Sequence, residues 1–257
     1  MARAFDRFLD RFWNRGAVRR WSRLADGADA LPVDELRLLR GRARGLRRHL
    51  DRVLHVAEGR LALPVIGSDA ILRPMGTDWA WRPPLWRGAI AVPGLASVPG
   101  KAVIDEGATL FHDCLKSELT IRQIRNARAE DLAPFGVRMD VFRFDGSYLS
   151  LVLDLPQAAV EGLKLRHLIR LTVIVEMEKP LEIFARLNVK HGPNLEQIVR
   201  ELPLAEAEVM VEFDLAYTRM NEKRVEKLWV DLIFEGPEMN QIILRDVTLT
   251  RRPRAEL

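Results

Sequence analysis

The chain of 257 residues has one cysteine, Cys114, two tyrosines, and no lysine among its first 60 residues. A lone cysteine excludes an intramolecular disulfide, and with it the small stapled folds of oxidising compartments, so a cytoplasmic protein is expected. An export signal needs a continuous apolar run near the start. Here Arg3, Arg7, Arg11, Arg15 and Arg19 interrupt the aromatics instead. No stretch approaches the roughly 20 uncharged apolar residues of a spanning helix. The best candidate, Leu168 to Val175, contains Arg170 and is followed by Glu176.

Several chemistries lack their motifs. The histidines at 49, 55, 112, 167 and 191 have no partner at a metal-binding spacing. There is no Gly-x-Ser-x-Gly elbow, and no pair of carboxylates stands out as an acid and base. The stretch from Gly94 to Ala102 has the wrong glycine spacing for a phosphate loop. It also puts Ala102 where a magnesium-binding hydroxyl belongs, and Pro99 has no amide to offer, so it reads as an ordinary loop. His112 and Cys114 share a strand face but lack an orienting or oxyanion group, and Cys114 reads as a small buried apolar residue. The expectation is of no catalytic residue, no metal and no cofactor.

The charge is unevenly placed. The first 60 residues hold 15 arginines against 8 acids, a balance of +7, so a chain of net +4 leaves −3 for the remainder. Arginine favours planar, two-pronged contacts to phosphate or carboxylate, although a GC-rich coding sequence also replaces lysine by arginine.

From Phe5 to Leu24 the apolar residues Phe5, Phe8, Leu9, Phe12, Trp13, Trp21 and Leu24 follow helical spacing, with arginines every fourth position beside Asp6 and Asp10. A turn at Asp26, Gly27 and Asp29 leads to a second helix starting near Pro32. In that helix Leu36, Leu39, Ala43, Leu46, Leu50, Val53, Ala57 and Leu61 alternate steps of three and four, the seam of a packed helix. Residues 1–63 therefore read as an arginine-rich amphipathic helical segment, whose seam is covered by the first helix in a hairpin, by self-association or by the β domain.

Downstream of Pro64, prolines and glycines forbid long helices and period-two alternation takes over. Strands are expected at Asp78 to Arg82, Trp86 to Val92, Ala108 to Asp113 and Glu118 to Arg125. Val137 to Phe144 and Tyr148 to Leu155 read as a hairpin about Asp145-Gly146. Further strands are expected at Leu168 to Glu176, Leu181 to Lys190, Ala207 to Tyr217, Val225 to Phe234 and Gln241 to Thr250. Val209, Val211, Phe213 and Leu215 form one apolar face, as do Leu228, Val230, Leu232 and Phe234, whose alternates Trp229, Asp231 and Ile233 form a mixed face. The fold class is mainly β: residues 64–257 form an antiparallel β-sandwich of jelly-roll type, preceded by the helical segment.

Trp229 to Phe234, the Gly236-Pro237 turn and Ile242 to Leu249 resemble the closing strands of galactose-binding-like and carbohydrate-binding jelly rolls. The whole chain is also similar to bacterial domains of unknown function. The first resemblance spans the C-terminal half, implies a fold, and carries no ligand residue across.

Two groups of residues are candidate binding sites. Trp79, Trp81 and Trp86 form either an aromatic platform for a sugar ring or part of a core. Phe5, Phe8, Phe12 and Trp13, with Arg7, Arg11 and Arg15, form either a solvated helix or one that docks on a protein or a membrane surface. Nucleic acid is disfavoured, because the acids weaken the field and no reading element is present. The leading expectation is a non-catalytic binding or scaffold protein whose helices mediate docking or self-association. A carbohydrate-binding module or carbohydrate-active enzyme is the first alternative, and a peripheral membrane protein the second.

Overall fold

The computed structural model describes residues 15–66 and 71–254, and of residues 58–66 the backbone alone. It has two compact units, Met1–Arg52 and Val53–Leu257. In the first, residues 15–26 form helix α1 and a 3-10 turn follows at Ala28–Ala30. Helix α2, Val33–Ile66, then begins with Asp34 and Glu35 in its first turn, where free amides favour acidic side chains. No described residue of this unit is buried. Trp21, Leu24, Leu36, Leu39 and Ala43 are half-buried on either side of the connection, whereas Leu46 and Leu50, further along the same seam, are exposed.

In the second unit, β1 (Trp79–Trp81), the single-turn helix α3 (Pro84–Arg87), β2 (Gly94–Ala96), β3 (Lys101–Asp105), β4 (Ala108–His112), β5 (Leu119–Arg125), β6 (Phe135–Val141) and β7 (Leu149–Asp154) lead to a short helix α4 (Gln157–Val160). Six longer strands complete it: β8 (His167–Met177), β9 (Glu182–His191), β10 (Asn194–Glu201), β11 (Glu208–Asp214), β12 (Val225–Glu235) and β13 (Asn240–Pro253). They form two sheets. One runs β11-β8-β13-β6-β5-β2 with β1 also on β13, and the other runs β10-β9-β12-β7-β4-β3. Every pairing is antiparallel, as for β12 with β9 and β13 with β8. The architecture is the expected β-sandwich.

The alternation expected in the closing strands is what closes the core. Leu228, Val230 and Leu232 are fully buried and Phe234 nearly so, facing Ile242, Leu244, Val247 and Leu249 of the opposite sheet within one apolar cluster. Chain register shifts on β13 between Leu244 and Asp246, and there the strand exchanges its neighbour β6 for β1. The displaced Asp246 is buried and accepts from Arg82 at both oxygens, each at 2.8 Å. Asn126 fastens the same place by donating to the carbonyls of Ala133, Phe135 and Arg245. Within the second unit Gly88 lies close under His55: a Cβ on Gly88 would lie 2.2 Å from the His55 carbonyl.

Two local readings are corrected. Residues 137–155 do not form a hairpin, since β6 pairs with β5 and β13 in one sheet while β7 pairs with β4 and β12 in the other. The Asp145-Gly146 loop arches between sheets and is tied to the segment after β4, with Ser147 donating to Asp113 and Leu115 to Asp145. Both strands carry a fully apolar face, and burial of the two faces against each other outweighs the local turn signal. The strand expected at Trp86 to Val92 opens instead as α3, because Pro83 and Pro84 start a helical turn.

Facing on β12 is testable. Leu232→Ala is expected to cost about 2–5 kcal/mol in urea unfolding, and Ile233→Ala, one residue away on the outer face, under about 1 kcal/mol. Equal costs would mean that the strand's faces are wrongly assigned.

Candidate functional site

The outer face of the six-stranded sheet carries side chains that the core does not need. Alternation with buried Leu187, Val189, Val230 and Leu232 turns Arg186, Asn188, Trp229, Asp231 and Ile233 away from the core. Register places Asp231 opposite Arg186 on β9 and Val152 on β7, and Trp229 opposite Asn188 and Asp154. Gln197 on the edge strand β10 lies opposite Asn188.

These groups form one network. Arg186 donates through Nε to Asp231 Oδ2 at 2.7 Å, Asn188 donates to the same oxygen at 3.0 Å, and Gln197 donates to Asn188 Oδ1 at 2.7 Å. Asp231 and Asn188 are buried, whereas the Arg186 side chain is 37% exposed. Its terminal Nη groups donate to none of the described residues, so they are available beside the carboxylate. An apolar row crosses the strands alongside: Phe184, Ile233 and Phe111 are half-buried, and Ser150 sits among them with a buried hydroxyl that has no hydrogen-bond partner. Lys101 lies 5.6 Å from the Phe111 ring centre and Lys227 the same distance from Trp229. Lys227 is also paired with Asp154 at 2.7 Å.

The tryptophans singled out from sequence in this unit, Trp79, Trp81 and Trp86, are not on this face. Trp86 is fully buried and donates its indole N–H to the Leu244 carbonyl, which corrects its reading as a ligand platform. Trp79 and Trp81 share a face of β1 and stack with ring centres 6.4 Å apart, packed half-buried against the core. Phe5, Phe8, Phe12, Trp13, Arg7 and Arg11 lie outside the described residues, and Arg15 is an exposed residue of α1.

The other polar clusters fasten the fold. His112 lies 2.8 Å from the Val98 carbonyl through Nε2 and accepts the Cys114 amide at Nδ1, so both ring nitrogens are engaged by backbone. Burial pushes the Cys114 thiol above its ordinary value, away from the thiolate a nucleophile requires. On the outer face of the seven-stranded sheet a hollow is lined by Arg73, Arg170, Glu206 and Glu208 with Leu72 and Met210. It offers no aromatic surface, and Arg170 is held by Glu212 at 2.9 Å. Among the described residues no group of three or more histidines, cysteines or acids could hold a metal ion.

Fold and face together define an antiparallel β-sandwich with a polar and aromatic outer sheet surface. The chain belongs to the family of unknown function DUF6478, which it matches over residues 1–257. No curated protein matches it. Among solved structures it is similar to the family 11 carbohydrate-binding module from Clostridium thermocellum bound to a mixed-linked tetrasaccharide, with 10% identity over 64% of this chain and 97% of that one and a TM-score of 0.36. A putative sugar-binding protein from Bacteroides thetaiotaomicron is 13% identical over 63% of this chain and 96% of its own, with a TM-score of 0.35. The N-terminal modules of Clostridium thermocellum xylanase 10B, complexed with xylohexaose, are 12% identical over 59% of this chain, with a TM-score of 0.36. The chain covers 27% of that xylanase, about a quarter of its length. At identities and TM-scores this low, the likenesses carry no argument about what this chain binds.

One corner of the sandwich holds a buried histidine. His167 is buried, accepts the Lys164 amide at Nδ1, and has Nε2 3.5 Å from Asp78, which also pairs with Arg251 at 2.9 Å. Burial holds its imidazole below the ordinary value, and the pull of Asp78 in the other direction does not overcome it. The folded protein therefore binds this proton less readily than the unfolded chain, whose imidazole titrates at roughly 6.5. Stability is present above that pH and is lost as pH falls below it. His167→Asn is expected to flatten the fall of the urea midpoint between about pH 7 and about pH 5, and an unchanged slope would place the titration elsewhere.

Proposed function

We propose that the chain is a non-catalytic recognition protein that binds a neutral carbohydrate on the outer face of its six-stranded sheet. One observation carries this reading: a buried carboxylate, Asp231, sits on the solvent side of the sheet and is steadied by Arg186 and Asn188, with the Arg186 Nη groups beside it. A carboxylate acceptor next to guanidinium donors matches two neighbouring hydroxyls of a sugar, one donating and one accepting. Trp229, Phe184 and Phe111 supply surfaces on which the apolar face of a sugar ring can stack.

A neutral ligand is favoured because three cations of this face are already paired with carboxylates. Arg186 pairs with Asp231, Lys227 with Asp154, and Lys190 with Glu226 at 3.0 Å. Binding rather than turnover is favoured by the role of Asp231. It accepts twice at a single oxygen, which suits a fixed acceptor better than a group that must deliver a proton.

Titration calorimetry of the full chain against a panel of soluble neutral and acidic polysaccharides tests the reading. A neutral polysaccharide is expected to bind, Trp229→Ala and Asp231→Asn each to weaken it at least about tenfold, and no reducing ends to be released. The thermal midpoint of Trp229→Ala should stay close to that of the parent chain. If nothing in the panel binds, or if both variants bind as well as the parent, the sheet face is not a carbohydrate site.

A further inference from the structure

Strand β10 is an edge that the fold leaves open. Among the described residues β9 is its only strand neighbour, paired without a register shift from Asn194 to Glu201. A strand sends the backbone groups of successive residues to opposite edges. Leu202, just beyond β10, donates to the Ile183 carbonyl of β9, so even positions bond to β9 and odd positions face outward. The Val199 carbonyl agrees, since it accepts from the Arg200 guanidinium at 2.9 Å. Natural edges are blunted by lysine, proline, bulges or shortness. β2 has three residues, and β3 carries Lys101 and a register shift between Val103 and Asp105. The charged residues of β11, Glu208, Glu212 and Asp214, are all acids, which would repel an identical strand. β10 has eight residues and none of these devices, and its Leu195 and Val199 are 47% and 48% exposed.

We infer that β10 pairs edge to edge with β10 of a second copy of this chain, joining two six-stranded sheets into one. A two-fold axis makes that pairing antiparallel and self-complementary. Outward backbone groups must meet outward ones, so odd positions lie opposite odd positions. With Ile198 at the axis, Gln197 lies opposite Val199 of the second copy and Glu196 opposite Arg200. By symmetry Arg200 also meets Glu196, which gives two ion pairs at the non-hydrogen-bonded positions, where facing side chains are closest. With Gln197 at the axis instead, Glu196 faces Ile198 and Arg200 faces Asn194, and neither charge gains a partner. Charge complementarity thus selects both the partner, an identical strand, and the register. Within one chain Arg200 has no carboxylate partner among the described residues, and Glu196 receives one amide, from Arg219 at 3.2 Å.

Sedimentation equilibrium of the full chain tests the inference. The parent chain is expected to be a dimer. Glu196→Arg and Arg200→Glu each set like charges opposite one another twice, and each should raise the dissociation constant at least about tenfold. An equimolar mixture of the two variants should dimerise like the parent, because one chain then carries two cations and the other two anions at the facing positions. Val199→Pro removes an outward amide and no bond to β9, and should weaken the dimer as strongly. A monomeric parent chain, a dimer that survives Val199→Pro, or a mixture no tighter than either variant alone would overturn the β10 interface.

Discussion

Burial of one face of β12 is the constraint from which both the sandwich and its outer surface follow. Side chains of a strand alternate, so placing Leu228, Val230, Leu232 and Phe234 in the core leaves Trp229, Asp231 and Ile233 no other direction than outward. The same holds on β9, where Ala185, Leu187 and Val189 are fully buried and Arg186 and Asn188 alternate with them. A slip of one residue between these strands would put Asp231 into the core and a leucine on the surface, at a cost of several kcal/mol for the unpaired charge alone. The polar network is thereby positioned by apolar contacts on the other side of the sheet.

The chain uses the pairing of arginine with aspartate in two ways, and exposure distinguishes them. At the β13 bulge both partners are shut away, with the Arg82 side chain 2% exposed and that of Asp246 8%. Both carboxylate oxygens of Asp246 are occupied by Arg82, so the pair fastens β1 against β13. On the six-stranded sheet the carboxylate is equally buried, but the Arg186 side chain is 37% exposed and approaches through Nε alone. Desolvating a charge is justified energetically only when its partners satisfy it, and Arg186 and Asn188 do so at Asp231 with donors left over. The first arrangement is closed, and the second is open on one side.

Much of the fold was legible because period-two alternation is a local property. β8, β9, β11, β12 and β13 each carry a run of alternating apolar residues, and each was expected within a few residues of its position. β10 was not foreseen, since Asn194–Glu201 is an edge strand with only Ile198 packed on the core, and so lacks the pattern. The false hairpin at Asp145-Gly146 shows the limit of turn chemistry: it can reverse a chain, but which sheet receives each arm depends on contacts far away in sequence. The candidate face was illegible for the same reason. Asp231 meets Arg186 across 45 positions, and nothing near either residue announces the other. Only the mixed outer face of β12 pointed there. The tryptophans misled because indole serves cores and surfaces alike, and Trp86 with its N–H satisfied by Leu244 serves the core.

The sheet face and the arginine-rich helices differ in how they respond to their surroundings. The proposed sheet site would act through a buried carboxylate, short hydrogen bonds and ring stacking, all of which operate within a few ångströms and are little affected by dissolved ions. α1 carries exposed arginines, whose field fades beyond a Debye length of about 8 Å at physiological ionic strength. That division follows the sequence, which keeps +7 in the first 60 residues and −3 in the rest. The remainder has 18 arginines of its own, but acids balance them, as Asp231 does Arg186, so a sugar held there would be selected by shape and hydroxyl geometry rather than by net charge.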